Sequence, residues 1–173
     1  MTNHKKISVR SAVEADLGEI AHIYDEARAF MRTYGNMTQW PTPQYPSLES
    51  AKADLEEGIL YVVEAGEDLL GTFVLVEGPD PTYGFIEQGA WRSDTPYAAV
   101  HRVASRGGGV MQAAVAFSKE RYPHLRMDTH ADNAPMRHLL EKYGFSHRGT
   151  IYVQDGTPRM AFDLLEDHHG KNQ

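Results

Sequence analysis

Three consecutive glycines stand between a predicted strand and a predicted helix, in the run Arg106-Gly107-Gly108-Gly109-Val110. Glycine has no side chain to cover its backbone amide, and the first turn of a helix leaves several amides without partners. Bare amides at the positive end of a helix dipole bind anions, and a pyrophosphate suits this arrangement. The run therefore predicts an anion-binding loop. The alternative is that the glycines only permit a tight turn.

The position of the glycine run bears on which anion it would bind. A dinucleotide-binding fold places its glycine loop after the first strand, with an acidic residue about 20 residues later. Here the run lies past the middle of the chain and follows a predicted hairpin of strands. A nucleotide-binding oxidoreductase is therefore a weaker interpretation than a protein that binds another phosphate ligand.

The elements that must position this loop follow from the apolar pattern. Steps of three and four predict helices, and alternating runs bounded by Gly, Pro or Asp predict strands. The predicted helices cover residues 15–32, 47–58, 110–121 and 135–144. The predicted strands cover residues 7–10, 59–65, 70–77, 97–105, 125–129, 145–153 and 160–165, with an irregular strand within 83–91. This order predicts a mixed sheet with helices packed on it.

The composition narrows the classes of function. The chain has 173 residues, of which 41% are apolar and 24% charged, as is typical of one globular domain. It has no cysteine, which excludes disulfides, thiolate zinc sites and a cysteine nucleophile. The net charge of −7, with scattered basic residues, predicts no nucleic-acid partner. The sequence also predicts no signal peptide and no membrane partner, so the expected location is cytoplasmic.

Two motifs resemble those of a known family. The run 106–110 resembles the Arg/Gln-x-x-Gly-x-Gly/Ala signature with which GCN5-related N-acetyltransferases (GNAT) bind the pyrophosphate of acetyl-CoA, although Met111 stands where the family has Gly or Ala. The segment DNAPMRHLLEKYGF, residues 132–145, is similar to the second motif of the family, in which an Asn opens a helix and Tyr-Gly-Phe closes it. The order of elements fits from Ile7 to Leu165.

The resemblance implies a fold and a domain organisation. The fold is the acyl-CoA N-acyltransferase fold, of the α+β class, with a mixed, mostly antiparallel central sheet of about six to seven strands and helices on both faces. Residues 1–166 would form a single domain, and the polar residues 167–173 a C-terminal tail. Acetyl-CoA would be the co-substrate.

The resemblance also implies roles for individual residues. The run 106–110 would hold the pyrophosphate, and the predicted strand ending at Ser105 would splay from its neighbour, so that the amide of Val103 faces the thioester. Asn133 would contact the cofactor, although it also suits a helix cap. Tyr143 would protonate the leaving thiolate, because the pKa of a phenol is close to that of a thiol. The alternative for Tyr143 is a core position on the apolar face of its helix.

Two residues are candidates for the general base that deprotonates the amine. His101 lies in a strand, and its neighbour Arg102 is expected on the opposite face because side chains alternate along a strand. A histidine titrates near neutral pH and could accept the proton, although a strand histidine is more often structural. Glu87 is the other candidate, and water is a third possibility.

The alternating residues Asp128, His130 and Asp132 could share one face of a strand. Such a set could bind a metal ion or could be solvated at the end of the strand. Because the resembling family needs no metal, the prediction is a site without metal.

Four aromatic residues are candidates for the wall of the acceptor pocket. They are Trp40, Tyr45, Tyr83 and Trp91. The alternatives are that they pack a loop or form a contact in a homodimer, because Trp and Tyr are enriched at both kinds of surface.

The predicted function is transfer of an acetyl group from acetyl-CoA to a primary amine of a small molecule or peptide, and the acidic surface slightly favours a cationic amine. A non-catalytic acyl-CoA sensor is the main alternative, followed by a nucleotide-binding oxidoreductase.

Overall fold

The computed structural model of the protein describes residues 5–36, 39–41 and 44–166. It contains a seven-stranded sheet in the order β1-β2-β3-β4-β5-β7-β6. Neighbouring strands are antiparallel, apart from the parallel pair β4 and β5. The strands are Ile7–Ser11 (β1), Leu60–Ala65 (β2), Asp68–Glu77 (β3), Ala98–Ser105 (β4), His124–Thr129 (β5), Ser146–Tyr152 (β6) and Pro158–Leu165 (β7). The predicted α+β class is confirmed, and the predicted tail 167–173 lies outside the described residues.

Four α-helices cover the sheet: Leu17–Thr33 (α1), Leu48–Glu56 (α2), Val110–Arg121 (α3) and Ala134–Lys142 (α4). Helix α2 begins where the sequence predicts, because Ser47 and Ser50 cap it reciprocally: the Ser47 amide donates to Ser50 Oγ, and the Ser50 amide to Ser47 Oγ. Helix α1 begins later than predicted, after a 3₁₀ turn at Glu14–Asp16.

The helices lie on both faces of the sheet, as predicted. Neighbouring residues of one strand enter different cores because side chains alternate. Val63 and Phe73 belong to the core beneath α3 and α4, whereas Val62 and Val74 belong to the core beneath α1 and α2. A smaller cluster around Tyr83 and Tyr97 includes Ala99 of β4, Ile151 of β6 and Ala161 of β7.

The prediction of an irregular strand within residues 83–91 is wrong. The chain forms a 3₁₀ turn at Pro81–Tyr83 and then a loop, which touches the sheet through one isolated bridge between Glu87 and Thr150. The next residues turn the backbone away, since Gln88 has a φ of 57° and Gly89 a φ of 157°. A ladder cannot continue through these conformations.

Candidate active site

The two parallel strands in the middle of the sheet separate soon after they meet. β4 and β5 pair only through Ala98 with Leu125 and Ala99 with Arg126. From Val100 to Ser105, β4 runs on without a register partner on β5. Its backbone groups on that side therefore face a cleft rather than a strand, and the splay that the resemblance implied is present.

A β-bulge lies on the same part of β4. His101 pairs with Val74 and Ala104 with Thr72, so Arg102 and Val103 together oppose a single residue of β3. Arg102 has a φ of 50°, a backbone angle that residues other than glycine rarely adopt. The bulge breaks the alternation, and both His101 and Arg102 line the same cavity. The prediction that Arg102 faces away from His101 is therefore wrong.

The first of two cavities lies at the glycine run, and we call it the glycine cavity. Its volume is about 570 Å³. It is lined by Gly107, Gly108 and Gly109 together with Arg106, Val110, Met111, Pro135, Leu139, Tyr143 and part of α1. The predicted pyrophosphate loop and the predicted proton donor Tyr143 thus share one cavity.

Helix α3 opens toward the glycine cavity. Gly109 is its N-cap, with a φ of 91°, and a Cβ there would lie 2.7 Å from Ile7 Cδ1. Gly108 has no heavy atom within 4 Å of an added Cβ, and at Gly107 the nearest is Leu70 Cδ2 at 4.0 Å. Gly109 is therefore needed for the turn itself, whereas the other two leave open space in front of the helix terminus. Such a terminus fits an anion.

The arginine of the glycine run is held by carboxylates of α1. Arg106 donates to Glu26 through Nε and Nη2, both at 3.0 Å, and to Glu19 through Nη1 at 2.8 Å. The hydrogen bonds that Arg106 donates to Glu26 are the main cause of its raised pKa. Arg106 therefore ties α1 to the start of the loop and leaves direct anion contact to the backbone amides.

The second cavity, which we call the aspartate cavity, lies where β4 and β5 separate and has a volume of about 660 Å³. Asp80, Asp128 and Asp155 line it, together with His101, Arg102, Arg159, Trp40, Tyr45, Gln39 and several apolar residues. The polar side chains come from the segment around Trp40, the β3–β4 connection, β4, β5 and the β6–β7 hairpin.

Asp80 orients His101 within the aspartate cavity. His101 Nε2 lies 2.8 Å from Asp80 Oδ2, and the other carboxylate oxygen accepts from the amide and hydroxyl of Thr82 at 3.0 and 2.7 Å. Burial acts to raise the pKa of Asp80, but the hydrogen bonds from His101 and Thr82 outweigh it and lower that pKa to about 2. Asp80 is therefore ionised at neutral pH and fixes the ring of His101.

Two further polar side chains of the aspartate cavity, Arg102 and Asp128, are held in place by neighbouring residues. Arg102 binds Asp54 of α2 through two hydrogen bonds of 3.1 and 2.8 Å and donates to the hydroxyl of Tyr45 at 2.6 Å. Asp128 accepts from the hydroxyl of Tyr83 at 2.7 Å. Burial, followed by the charge of Asp128, raises the pKa of Tyr83 well above its usual value.

The two cavities meet at the splay. Met31, Val103, Asn133 and Met136 line both of them. Asn133 caps α4, since its Oδ1 accepts from the amide of Met136 at 3.2 Å. A ligand in the glycine cavity and one in the aspartate cavity can therefore touch each other beside the bulge of β4.

Comparisons with known proteins show which family this fold and sequence belong to. The sequence model of a family described as "Acetyltransferase (GNAT) domain" matches residues 6–146. The chain belongs to the GNAT family of acetyltransferases. A search of the curated proteins gave no match.

Solved structures extend the likeness over nearly the whole GNAT chain. An acetyltransferase of the GNAT family from Streptococcus agalactiae 2603 is 27% identical, with a TM-score of 0.86 over 96% of this chain and 99% of that one. The yncA protein of Salmonella typhimurium, solved with its cofactor acetyl-CoA, is 16% identical, with a TM-score of 0.58 over 94% and 95%. A chain of the NatC complex bound to Gag peptide and CoA is 14% identical, with a TM-score of 0.59 over 94% and 99%. The last two show a shared fold only.

Three of the predicted site residues lie outside the two cavities of this GNAT chain. Tyr83 is buried and packs under Trp91, whose Nε1 donates to the Tyr83 carbonyl at 3.0 Å. Glu87 accepts a hydrogen bond from the hydroxyl of Tyr152 and bridges Thr150. The other predicted residues line one cavity or both.

The alternating acidic segment on β5 does not converge on one point. Asp128 binds Tyr83, whereas His130 Nδ1 accepts from the amide of Asp132 at 3.0 Å and lies 3.4 Å from its carboxylate. Among the residues that the structure describes, no group of three His, Cys, Asp or Glu could hold a metal ion.

Sequence reasoning missed Gln39 and Asp80. Gln39 Oε1 accepts from the His130 amide at 3.2 Å and from Asn133 Nδ2 at 3.3 Å, and so connects the segment around Trp40 to the start of α4. No local signal marks Gln39. Asp80 caps the short turn at Pro81–Tyr83 in the structure, but nothing in the sequence relates it to His101.

In the described ranges, every helix is too short or too polar to cross a bilayer. The cytoplasmic location and the homodimer stay predictions from the sequence.

Proposed function

We propose that this GNAT chain transfers the acetyl group of acetyl-CoA to the nitrogen of a primary amine. The observation that supports this most is the meeting of the two cavities at Val103, Asn133, Met136 and Met31. An acyl donor seated at the glycines and an amine seated among the aspartates would have their reacting atoms side by side. Such positioning alone supplies much of the rate enhancement of a two-substrate reaction.

Acetyl-CoA is the co-substrate in this scheme. Its pyrophosphate would lie at the amides of residues 107–110, where the open space before Gly108 gives room for phosphate oxygens. Its pantetheine arm would follow the free edge of β4 toward the splay. The thioester carbonyl would then lie near the bulge, where a backbone amide such as that of Val103 can donate to the developing oxyanion.

The amine must lose a proton as it attacks. His101 lines the aspartate cavity, and its Nε2 is engaged by Asp80. With a proton on Nε2, the ring presents a lone pair on Nδ1, which can accept the proton directly or through one water. Asp80 acts as the positioning residue for this base.

The departing sulfur must gain a proton. The amine nitrogen forms a bond to the carbonyl carbon, the carbon–sulfur bond breaks, and the electron pair stays on sulfur. Tyr143 lines the glycine cavity and can donate its hydroxyl proton to that thiolate. The tyrosinate then recovers a proton from solvent, while His101 releases the one taken from the amine.

The charge of the chain favours a cationic acceptor. Three aspartates face the aspartate cavity, and the net charge of −7 attracts an ammonium group before it binds.

A thiol-release assay tests the proposal. Acetyl-CoA is offered with a panel of amines, amino acids and polyamines, and mass spectrometry identifies the acetylated product. We expect thiol release that depends on the acceptor and an N-acetyl product. If calorimetry shows acetyl-CoA binding while no acceptor stimulates release, the chain is an acyl-CoA-binding module. Stabilisation against heat by NAD or ATP, but not by acetyl-CoA, would favour a nucleotide-binding protein.

A further inference from the structure

Arg159 is a cation of the aspartate cavity whose partners are neutral. Its Nη1 donates to Thr157 Oγ1 and to the Pro158 carbonyl, both at 3.0 Å. In the described part of the chain, no carboxylate lies within 4.0 Å of its guanidinium. Asp155 of the same hairpin accepts from the amide and the hydroxyl of Thr157, at 2.9 and 2.5 Å, so Thr157 lies between Asp155 and Arg159. These hydrogen bonds from Thr157 lower the pKa of Asp155, and the charge of Arg159 contributes to the lowering without a direct ion pair. Arg159 therefore keeps hydrogen-bond donors for a ligand.

Arg102, the other arginine of this cavity, differs from Arg159 because it has a carboxylate partner. Its Nε and Nη2 donate to the carboxylate of Asp54, and its Nη1 donates to the hydroxyl of Tyr45. Its charge is balanced and its donors are used, so it supports the wall. Arg159 is half-buried and lines the same cavity, and among the described residues it forms no direct ion pair.

The register of the sheet places Arg159 on the same face as Asp128. Asp128 of β5 pairs with Ala161 of β7, and side chains of paired residues share a face. Arg159 precedes Ala161 by two residues and so projects to that face as well. Diagonal neighbours of this kind are separated by about 7 to 8 Å at the backbone.

Asp128 and Arg159 nevertheless do not form an ion pair with each other. Asp128 is held by the hydroxyl of Tyr83, and Arg159 by Thr157. Both line the aspartate cavity, on strands that lead away from the splay at Val103. The cavity thus offers one negative and one positive group, held apart by partners of their own, on one wall.

We propose that the acceptor is a free amino acid or a compound like it, whose amine lies by Asp128 and His101 and whose carboxylate is bound by Arg159. This inference rests on the proposed acetyl transfer. A charge-assisted hydrogen bond spans about 2.8 Å. With one such bond at each end, the short backbone of an amino acid would join the negative group and the positive group that this wall holds apart. Arginine suits the carboxylate because its fork of donors matches the two oxygens.

Matched acceptors test the inference. Each common L-amino acid and its carboxamide carry the same amine, and only the first carries the carboxylate. We expect the wild-type protein to acetylate the preferred acid with a kcat/KM at least about tenfold above that for its amide. Arg159→Gln should lower kcat/KM for the acid by about 10- to 100-fold, chiefly through KM, the range expected when a hydrogen bond to a charged group is lost. The amide should be unaffected.

Two further variants make the result specific. Arg159→Lys keeps the charge and should restore part of the preference for the acid. Arg121→Gln makes the same change at an exposed arginine that lies outside both cavities and should leave both acceptors unchanged.

Equal rates on acids and amides, or an equal loss on both in Arg159→Gln, would overturn the inference while leaving amine acetylation intact. If acetyl-CoA binds but no member of either series is acetylated and other amines are, the acceptor class is wrong. If no amine at all is acetylated, the proposed function fails, and this inference fails with it.

Discussion

The glycine cavity and the aspartate cavity meet at the bulge of β4, yet they are built differently. Backbone amides of residues 107–110 and apolar side chains from α3 and α4 form most of the first. Charged side chains from four segments, namely the β3–β4 connection, β4, β5 and the β6–β7 hairpin, form much of the second, and most of these are already held by neighbours, as Arg102 is by Asp54.

The difference matches the two kinds of ligand. A backbone site recognises a phosphate and tolerates changes of side chain, so it suits a co-substrate that a whole family shares. A site made of side chains on loops and strand ends can change its specificity without disturbing the sheet. Substitutions in the glycine cavity should therefore act on acetyl-CoA, and those in the aspartate cavity on the acceptor.

The largest effect is expected from Tyr143→Phe. Tyr143 lies in the glycine cavity, but its proposed role is to protonate the leaving thiolate and not to bind acetyl-CoA. The ring is kept, so its packing on the core beneath α3 and α4 should survive while the proton donor is lost. Turnover should fall by a factor of about 100 to 10,000, the usual contribution of general acid catalysis, with little change in affinity for acetyl-CoA. Steady-state kinetics and calorimetry measure the two quantities.

Tyr122→Phe is the control, because Tyr122 ends α3 and lines neither cavity. A stable Tyr143→Phe variant with normal turnover would mean that water or another group protonates the thiolate. A loss of stability without a specific loss of turnover would support the core role of the ring.

The cofactor side is tested by Gly108→Leu. A Cβ added at Gly108 would have no heavy atom within 4 Å, so the substitution should leave the fold intact while the side chain occupies the space before the helix terminus. Affinity for acetyl-CoA should fall by about tenfold or more because phosphate contacts with the amides are lost. Gly107→Leu should act in the same direction, whereas Gly109 variants are less informative because the backbone there is left-handed.

Gly18→Leu provides the control for added bulk, since Gly18 is exposed on α1 with nothing near its Cβ position. Calorimetry that found unchanged acetyl-CoA affinity in both Gly107→Leu and Gly108→Leu would place the pyrophosphate elsewhere.

The acceptor side is tested by comparing two tryptophans. Trp40 lines the aspartate cavity, whereas Trp91 lies outside it and packs on Arg126, whose Cζ is 4.1 Å from the ring centre. Trp40→Ala should raise the KM of the amine by about tenfold while that of acetyl-CoA stays nearly constant. Trp91→Ala should lower the free energy of unfolding and leave both KM values unchanged. An equal change of both KM values in Trp40→Ala would contradict the division between the cavities.

The smallest effect is expected from acid titration of Asp80. Its pKa is about 2 in the folded state, below its ordinary value of 3.8, so the ionised form stabilises the fold. That stabilisation is complete above about pH 4 to 5 and is lost as the pH falls through about 4 to 2. Asp80→Asn removes the titration, so the unfolding free energy should depend less steeply on pH in this window. Urea denaturation at several pH values measures the slope, and parallel slopes in the two proteins would show that folding does not lower the pKa of Asp80.

Some features of this chain could be predicted from short stretches of sequence. Ser47 and Ser50 lie three residues apart and form the reciprocal cap that their spacing predicts. Gly109 takes the left-handed conformation that a glycine before a helix permits. The glycine loop and most strand and helix bounds followed in the same way, since they depend on neighbours in sequence.

Other features depend on residues that are far apart in sequence. His101 and Asp80 are 21 residues apart and meet only because β3 and β4 pair; Arg102 and Asp54 are 48 apart and meet across α2 and the sheet. The bulge that brings Arg102 into the cavity leaves no mark on the local pattern of β4. Strict alternation therefore gave the wrong direction for that side chain.

By itself the sequence determined the α+β architecture, the glycine loop before α3 and the tyrosine after α4, because hydrophobic period, capping and glycine conformation are properties of short segments. Only the tertiary structure decided that β4 and β5 separate after two residue pairs, that Tyr83, Glu87 and Trp91 lie outside the cavities, and that Asp128 and Arg159 face the same space. These outcomes depend on strand register and on the packing of distant side chains, which the local sequence does not encode.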